Sequence, residues 1–105
     1  MTKKVAKKPA KLKIRAYDVA DHLRTPEEMA AYLDAWLDEA PDDASGIAKA
    51  LGDIARAKGM TQVAKDTGLS RESLYRALSA DGNPSFATVL KVARALGLSL
   101  RAEAA

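Results

Sequence analysis

The stretch MTQVAKDTGLSRESLYRAL, residues 60–78, places one glycine between two short helical patterns. Gly68 stands four residues after the small Ala64, and three leucines follow it at helical spacing. A glycine at this point permits the positive φ that a side chain would oppose. A small residue at Ala64 lets two helices cross closely. The stretch therefore predicts two tightly packed helices, the second of which keeps a polar face free.

Helix signals continue on both sides of this stretch. Thr25, Pro26 and Glu28 form the capping pattern of a helix over residues 25–40. Asp42 or Asp43 caps a helix over 42–59, Ser85 caps one over 82–97, and Asp18 caps a short one within 17–24. The alternation of LSLR, residues 98–101, also fits a short edge strand. No other segment has a β pattern, so the predicted fold class is all-α.

Periodicity predicts which side of each helix faces the core. In the helix over 25–40 the inward positions are Met29, Tyr32, Leu33, Trp36 and Leu37. In the helix over 42–59 they are Ile47, Leu51, Ile54 and Ala55, and in the last helix they are Phe86, Val89, Leu90, Ala93 and Leu96.

Charge divides the chain into blocks. Residues 1–24 carry net +6, residues 25–53 net −7 and residues 54–105 net +4. The predicted organisation is a basic disordered tail over 1–13, an amino-terminal helical extension over 14–41, a domain over 42–101 that contains the two packed helices, and a short tail over 102–105. The six lysines of the first tail either add non-specific phosphate contacts or serve as a solubilising leader.

Composition excludes several classes of function. The chain has no cysteine and only one histidine, His22, so we expect no disulfide, metal site, cofactor or catalytic triad, and no enzyme activity. No run approaches 18 apolar residues, and the charged start lacks the apolar core of a signal peptide. We therefore expect a cytoplasmic protein without a membrane segment.

The spacing from Met60 to Leu78 fits a helix-turn-helix, a motif of DNA-binding domains. The domain over 42–101 is therefore predicted to be a helix-turn-helix DNA-binding domain with a nucleic-acid surface. The second helix of such a motif enters the major groove with its amino-terminal side chains against base edges. Arginine donates to guanine or phosphate and glutamate accepts from cytosine, while Thr61 and Ser70 are placed to cap the two helices. The residues predicted for DNA binding are Thr61, Gln62, Ser70, Arg71, Glu72, Ser73, Tyr75, Arg76 and Asn83.

Simpler roles remain open for four of these residues. Glu72 and Arg76 are four apart in the order that favours a surface ion pair. Tyr75 either stacks on sugar or phosphate or leans its ring on its own helix, and Asn83, before Pro84, is also a typical turn residue.

The run ALGDIARAKGMTQVAKDTGLSRESLYRALSADGNPSFATVLKVARALGLSL resembles the Xre/Cro-type helix-turn-helix family. More narrowly, about residues 14–101, including YDVADHL and TPEEMAAYLDAWLDEA, are similar to the addiction-module antidote proteins, the HigA-like antitoxins of RelE-superfamily toxins. The resemblance implies a five-helix, lambda-repressor-like fold that binds operator DNA as a homodimer, represses its own operon and neutralises an mRNA-cleaving toxin. Thr67 departs from the family pattern, which often has an apolar residue before the turn glycine.

A basic toxin would be attracted by the acidic helix over 26–40. The predicted toxin-binding residues are Asp34, Trp36 and Asp38, although this helix face also fits plain solvation and Trp36 also fits the core. Two other functions compete with the antitoxin: a stand-alone Xre-type repressor without a toxin, and a helical protein-interaction module that no longer binds DNA.

Overall fold

The computed structural model describes residues 18–105, so the prediction of a basic disordered tail over 1–13 lies outside the described residues. A 3-10 helix, Val19–His22, precedes five α-helices. These are α1 (Pro26–Glu39), α2 (Ala44–Lys58), α3 (Met60–Thr67), α4 (Arg71–Ala77) and α5 (Phe86–Ala95). The all-α prediction is confirmed. Residues 98–101 have no regular structure, so the edge-strand alternative is wrong.

Most helices begin at the predicted cap. At the start of α1, the Glu28 amide donates to Thr25 Oγ1 at 3.1 Å and the Thr25 amide donates to Glu28 Oε1 at 3.0 Å. The pKa of Glu28 is lowered, chiefly by the Arg24 amide, which donates to the same oxygen at 2.8 Å, and further by the Thr25 amide. Asp43 caps α2 through the Gly46 amide at 2.9 Å.

The predicted cap of α3 is wrong. This helix begins at Met60, one residue before Thr61, and Gly59 precedes it without any side-chain cap bond. Thr61 therefore lies inside the first turn, because Gly59 ends α2 with φ 116° and the chain enters α3 immediately afterwards.

Helix α2 lies at the centre of the molecule. It contacts the 3-10 helix and all four other α-helices. Ile54 and Ala55 are fully buried, and Leu51 nearly so. Val63 of α3, Leu74 of α4 and Val92 of α5 fill the remaining core, in which Leu23, Met29, Leu33, Met60, Leu78 and Leu96 also lie.

Three residues predicted to face the core are exposed instead. Leu37 at the end of α1 is 43% exposed, and Phe86 and Leu90 of α5 are 71% and 44% exposed. Among the described elements, helix α5 packs mainly against α2 and α3. The buried side of α5 is centred on Val92 and Leu96, so its apolar stripe extends beyond the surface that its neighbours cover.

A buried carboxylate joins α1 to α2. Asp53, 3% exposed, accepts a hydrogen bond from the Tyr32 hydroxyl at 2.7 Å and from Arg56 Nη2 at 2.7 Å. Lys49 Nζ lies 3.5 Å from the same carboxylate. Three donors compensate the burial of this charge, which would otherwise be costly.

Arg56 extends this network to the amino-terminal segment. Its Nη1 donates to Asp18 Oδ2 at 2.6 Å, and Asp18 Oδ1 accepts from the Ala20 amide at 3.1 Å. The bond from Arg56 lowers the pKa of Asp18 and raises that of Arg56. One guanidinium thus holds both the 3-10 helix and the buried Asp53.

Removal of the Tyr32 hydroxyl tests the α1–α2 link. We expect Tyr32→Phe to lower the free energy of unfolding by about 1–2 kcal/mol, because Asp53 loses one of three donors to a buried charge. Urea unfolding measures the loss. The matched control is Tyr75→Phe, at a tyrosine 47% exposed, which should change stability by less than about 0.5 kcal/mol. Equal effects of the two changes would contradict the role of Tyr32.

The Asp18–Arg56 pair gives a pH dependence. Because the folded pKa of Asp18 lies below its usual 3.8, the pair stabilises the protein above that pH and ceases to do so as the pH falls through the folded pKa. Asp18→Asn should lower the free energy of unfolding by less than about 1 kcal/mol at neutral pH, because the pair is part-exposed. In strong acid the substitution should not change this free energy. Urea unfolding of the wild type and of Asp18→Asn, from neutral pH to strong acid, measures this difference in stability, and Glu103→Gln is the control. A stability difference that does not change with pH would contradict the role of the Asp18–Arg56 pair.

Candidate nucleic-acid interface and acidic partner surface

The turn between α3 and α4 has the geometry that the sequence predicts. Gly68 is left-handed, with φ 77° and ψ 10°, and its amide donates to the Ala64 carbonyl at 2.9 Å. Thr67 strengthens the turn, since its hydroxyl donates to the Val63 carbonyl at 2.8 Å and accepts from the Leu69 amide at 3.3 Å. The departure at Thr67 thus replaces an apolar contact with two hydrogen bonds.

The beginning of α4 is fixed by serines. The Ser73 amide donates to Ser70 Oγ at 3.0 Å, which confirms Ser70 as the cap, and the two hydroxyls are 2.9 Å apart. Leu74 is fully buried against the core on the next turn. Ser70 and Ser73 therefore hold the helix end, and Arg71 between them is exposed.

The outward face of α4 carries two opposite charges. At about 100° per residue, Glu72 and Arg76 point nearly opposite to the buried Leu74. Their charged groups are 3.8 Å apart and strongly exposed. Glu72 and Arg76 thus form the surface ion pair that their spacing in the sequence favours. An exposed pair of this kind contributes little stability, so both side chains are available to a ligand at small cost.

Tyr75 lies on the α2 side of α4. It is partly exposed and lines a groove of about 280 Å³ with Lys49 and Arg56 of α2, and with Ser79 after α4. The ring therefore borders an opening between the two helices.

The other predicted DNA-binding residues lie outside α4. Thr61 and Gln62 are exposed in the first turn of α3, where Gln62 Nε2 donates to Asp66 Oδ1 at 2.8 Å. Asn83 is exposed in the connection between α4 and α5. Because an amide nitrogen carries two N–H groups, the bond from Gln62 to Asp66 leaves one of them for another acceptor.

The three predicted toxin-binding residues do not share one face of α1. Asp34 and Asp38 are exposed and one turn apart, on the side opposite Met29 and Leu33. Trp36, about 200° from Asp34 around the helix, is half-buried. Its ring covers Gly46 at the start of α2, where an added side-chain carbon would lie 2.6 Å from Cζ3. Trp36 thus packs α1 on α2, and the outward face is acidic.

The part of the chain that the structure describes contains neither a cluster of metal ligands nor a membrane-spanning helix. Within residues 18–105 no three His, Cys, Asp or Glu side chains are grouped as metal ligands. None of the described helices has the length and apolar character needed to cross a membrane.

Comparison with known proteins gives the family. A family model described as a probable addiction module antidote protein matches residues 13–104. An uncharacterized protein of Haemophilus influenzae is 51% identical over 90 residues, which cover 86% of this chain and 91% of that protein. No solved structure matches the chain significantly. With a helix-turn-helix core, an acidic α1 and a match over nearly all of its length, the chain belongs to the family of probable addiction module antidote proteins.

Proposed function

We propose that this protein is the antitoxin of a bacterial type II toxin–antitoxin module, acting in the cytoplasm on two partners. It binds operator DNA as a homodimer through α4 and represses its own operon, and it neutralises a RelE-superfamily toxin through α1. Family membership supports the antidote role. The observation that supports DNA binding is the outward face of α4, where Glu72 and Arg76 are exposed on a helix whose opposite side is fully buried at Leu74.

DNA recognition follows from the position of each group. Helix α4 enters the major groove, where Arg71 and Arg76 donate to guanine or phosphate and Glu72 accepts from cytosine. Contact with a base replaces the weak Glu72–Arg76 pair. The remaining residues position the duplex rather than read it: Thr61 and Gln62 at the start of α3, Ser70 and Ser73 at the start of α4, Tyr75 at its edge and Asn83 in the following connection.

Toxin neutralisation uses charge and steric masking. The outward face of α1 places Asp34 and Asp38 one turn apart in a segment that carries net −7. A basic, RNA-binding toxin is attracted to such a surface before contact. Trp36, on another side of α1, contributes by holding α1 against α2. The bound antitoxin then covers the RNA-binding surface of the toxin, and no catalytic step is involved.

Substitution of Arg71 and Arg76 tests the proposed binding of operator DNA. Arg71→Ala plus Arg76→Ala should weaken operator binding by about 2–6 kcal/mol, since each base contact is worth roughly 1–3. Fluorescence anisotropy with the DNA upstream of the operon measures this. The control, Lys91→Ala plus Arg101→Ala, removes the same charge outside α3 and α4. Equal losses in the two double variants would show that only net charge matters and would contradict base recognition by α4.

Charge reversal on α1 tests the proposed binding of the toxin. Asp34→Lys plus Asp38→Lys should slow association with the toxin by roughly tenfold or more at low salt, because the attractive field is reversed. Operator affinity should remain nearly unchanged. The control, Asp21→Lys plus Glu103→Lys, makes the same change in net charge elsewhere. Stopped-flow association and DNA anisotropy give the two readouts, and equal damage to both activities would identify α1 as scaffold.

A purified chain that binds the operator but no adjacent gene product would instead support a stand-alone repressor.

A further inference from the structure

The end of α4 is packed directly against the backbone of α2. Gly52 lies in the middle of α2 and is buried. A side-chain carbon at Gly52 would collide with the carbonyl oxygen of Leu78, the residue that ends α4, and would lie 3.2 Å from Leu78 Cβ. Glycine inside a helix is less favourable than alanine. At this position, however, the glycine permits an approach of the two helices that any side chain would widen.

A second glycine packs against the same end of α4 from the connection to α5. A side-chain carbon at Gly82 would collide with the Ala77 carbonyl and would lie 2.8 Å from the Arg76 carbonyl oxygen. The Gly82 amide donates to the Ser79 carbonyl at 2.9 Å, which folds the connection back on the helix. The Ser79 hydroxyl donates to the Arg76 carbonyl at 3.0 Å. The last turn of α4, which carries Arg76, is therefore in close contact with both α2 and the connection.

The two ends of α4 are positioned by different contacts. Arg71 follows the Ser70 cap, whose hydroxyl accepts from the Ser73 amide at 3.0 Å. Arg76 is five residues further on, about 7.5 Å along the helix axis. The atoms nearest to a side-chain carbon at either glycine all belong to residues 76–78. A side chain added at Gly52 or Gly82 would therefore displace Arg76 more than Arg71.

We propose that Gly52 and Gly82 are positioning residues that determine specificity, because they set the place from which Arg76 reaches its base. This inference rests on the proposed operator binding. A hydrogen bond to a base edge needs a separation of about 2.7–3.2 Å, so a shift of roughly 1 Å abolishes it. Attraction to phosphate extends over about 8–10 Å and tolerates the same shift. A side chain at either glycine therefore lowers the preference for the operator more than it lowers binding to DNA in general.

A double-mutant cycle on DNA tests this placement. Gly52→Ala should weaken operator binding roughly tenfold or more, the scale of one lost base contact, and binding to DNA of unrelated sequence by less than about twofold. In an Arg76→Ala background Gly52→Ala should change operator binding by less than about twofold, because the contact is already absent. In an Arg71→Ala background its effect should remain roughly tenfold. Fluorescence anisotropy with the two DNA sequences measures all of these affinities.

The control and a second variant separate positioning from a general loss of structure. Gly46→Ala adds the same carbon to α2, where its nearest neighbours are Asp43 and Trp36 rather than α4, and it should leave operator binding unchanged. Gly82→Ala presses on the same turn from the connection and should show the same dependence on Arg76 as Gly52→Ala. Circular dichroism identifies the variants that are folded at the assay temperature, and Gly82→Ala decides if Gly52→Ala is not folded.

The possible failures of the inference and of the proposed function differ. Equal effects of Gly52→Ala in the two arginine backgrounds, or equal losses on operator and unrelated DNA, would overturn the inference while the operator binding of the wild type stands. A wild type that binds the two DNA sequences equally would reject the proposed DNA function, and the inference with it.

Discussion

The packing of every other helix against α2 is the constraint on which the molecule depends. Helix α2 brings Ile54 and Ala55 to the centre of the core and Asp53 to its edge, where Tyr32 and Arg56 compensate the buried charge. Helices α1 and α4 are therefore positioned by the same element but present different outward faces. A small chain can thus present two exposed charged faces without a second core.

Local chemistry made much of this fold predictable from the sequence. The caps at Thr25, Ser70 and Ser85 and the left-handed Gly68 depend on neighbouring residues only, and each lies where the sequence places it. Phe86 and Leu90 are different, because their exposure depends on which helices cover α5, and that is a property of the tertiary arrangement.

The contacts of Asp53 also depend on tertiary packing. Tyr32 is 21 residues away and Asp18 approaches through Arg56, so no short spacing reveals the network. An aspartate beside the apolar positions of α2, with basic residues four before and three after it, is the available signal. The exposed face opposite Leu74 and the inward side of Trp36 follow from periodicity, whereas the contact of the Trp36 ring with Gly46 does not.

The acidic residue on the outward face of α4 bears on specificity. Glu72 opposes any duplex nonspecifically because it repels phosphate, and it favours only a base that donates to it. In the proposed complex, a face of α4 that carries both signs would favour the operator over bulk DNA. The acidic face of α1 repels phosphate in the same way, which is consistent with the proposal that its partner is a basic protein rather than DNA.

Growth rescue tests the antitoxin assignment most directly. The product of the gene adjacent to this one is induced in a bacterial host with and without this chain, and colony counts are compared. The account predicts arrest by the neighbour alone and full growth when this chain is present, with Asp34→Lys plus Asp38→Lys rescuing less well. A neighbour that is harmless alone, or equally toxic with this chain present, would contradict the assignment.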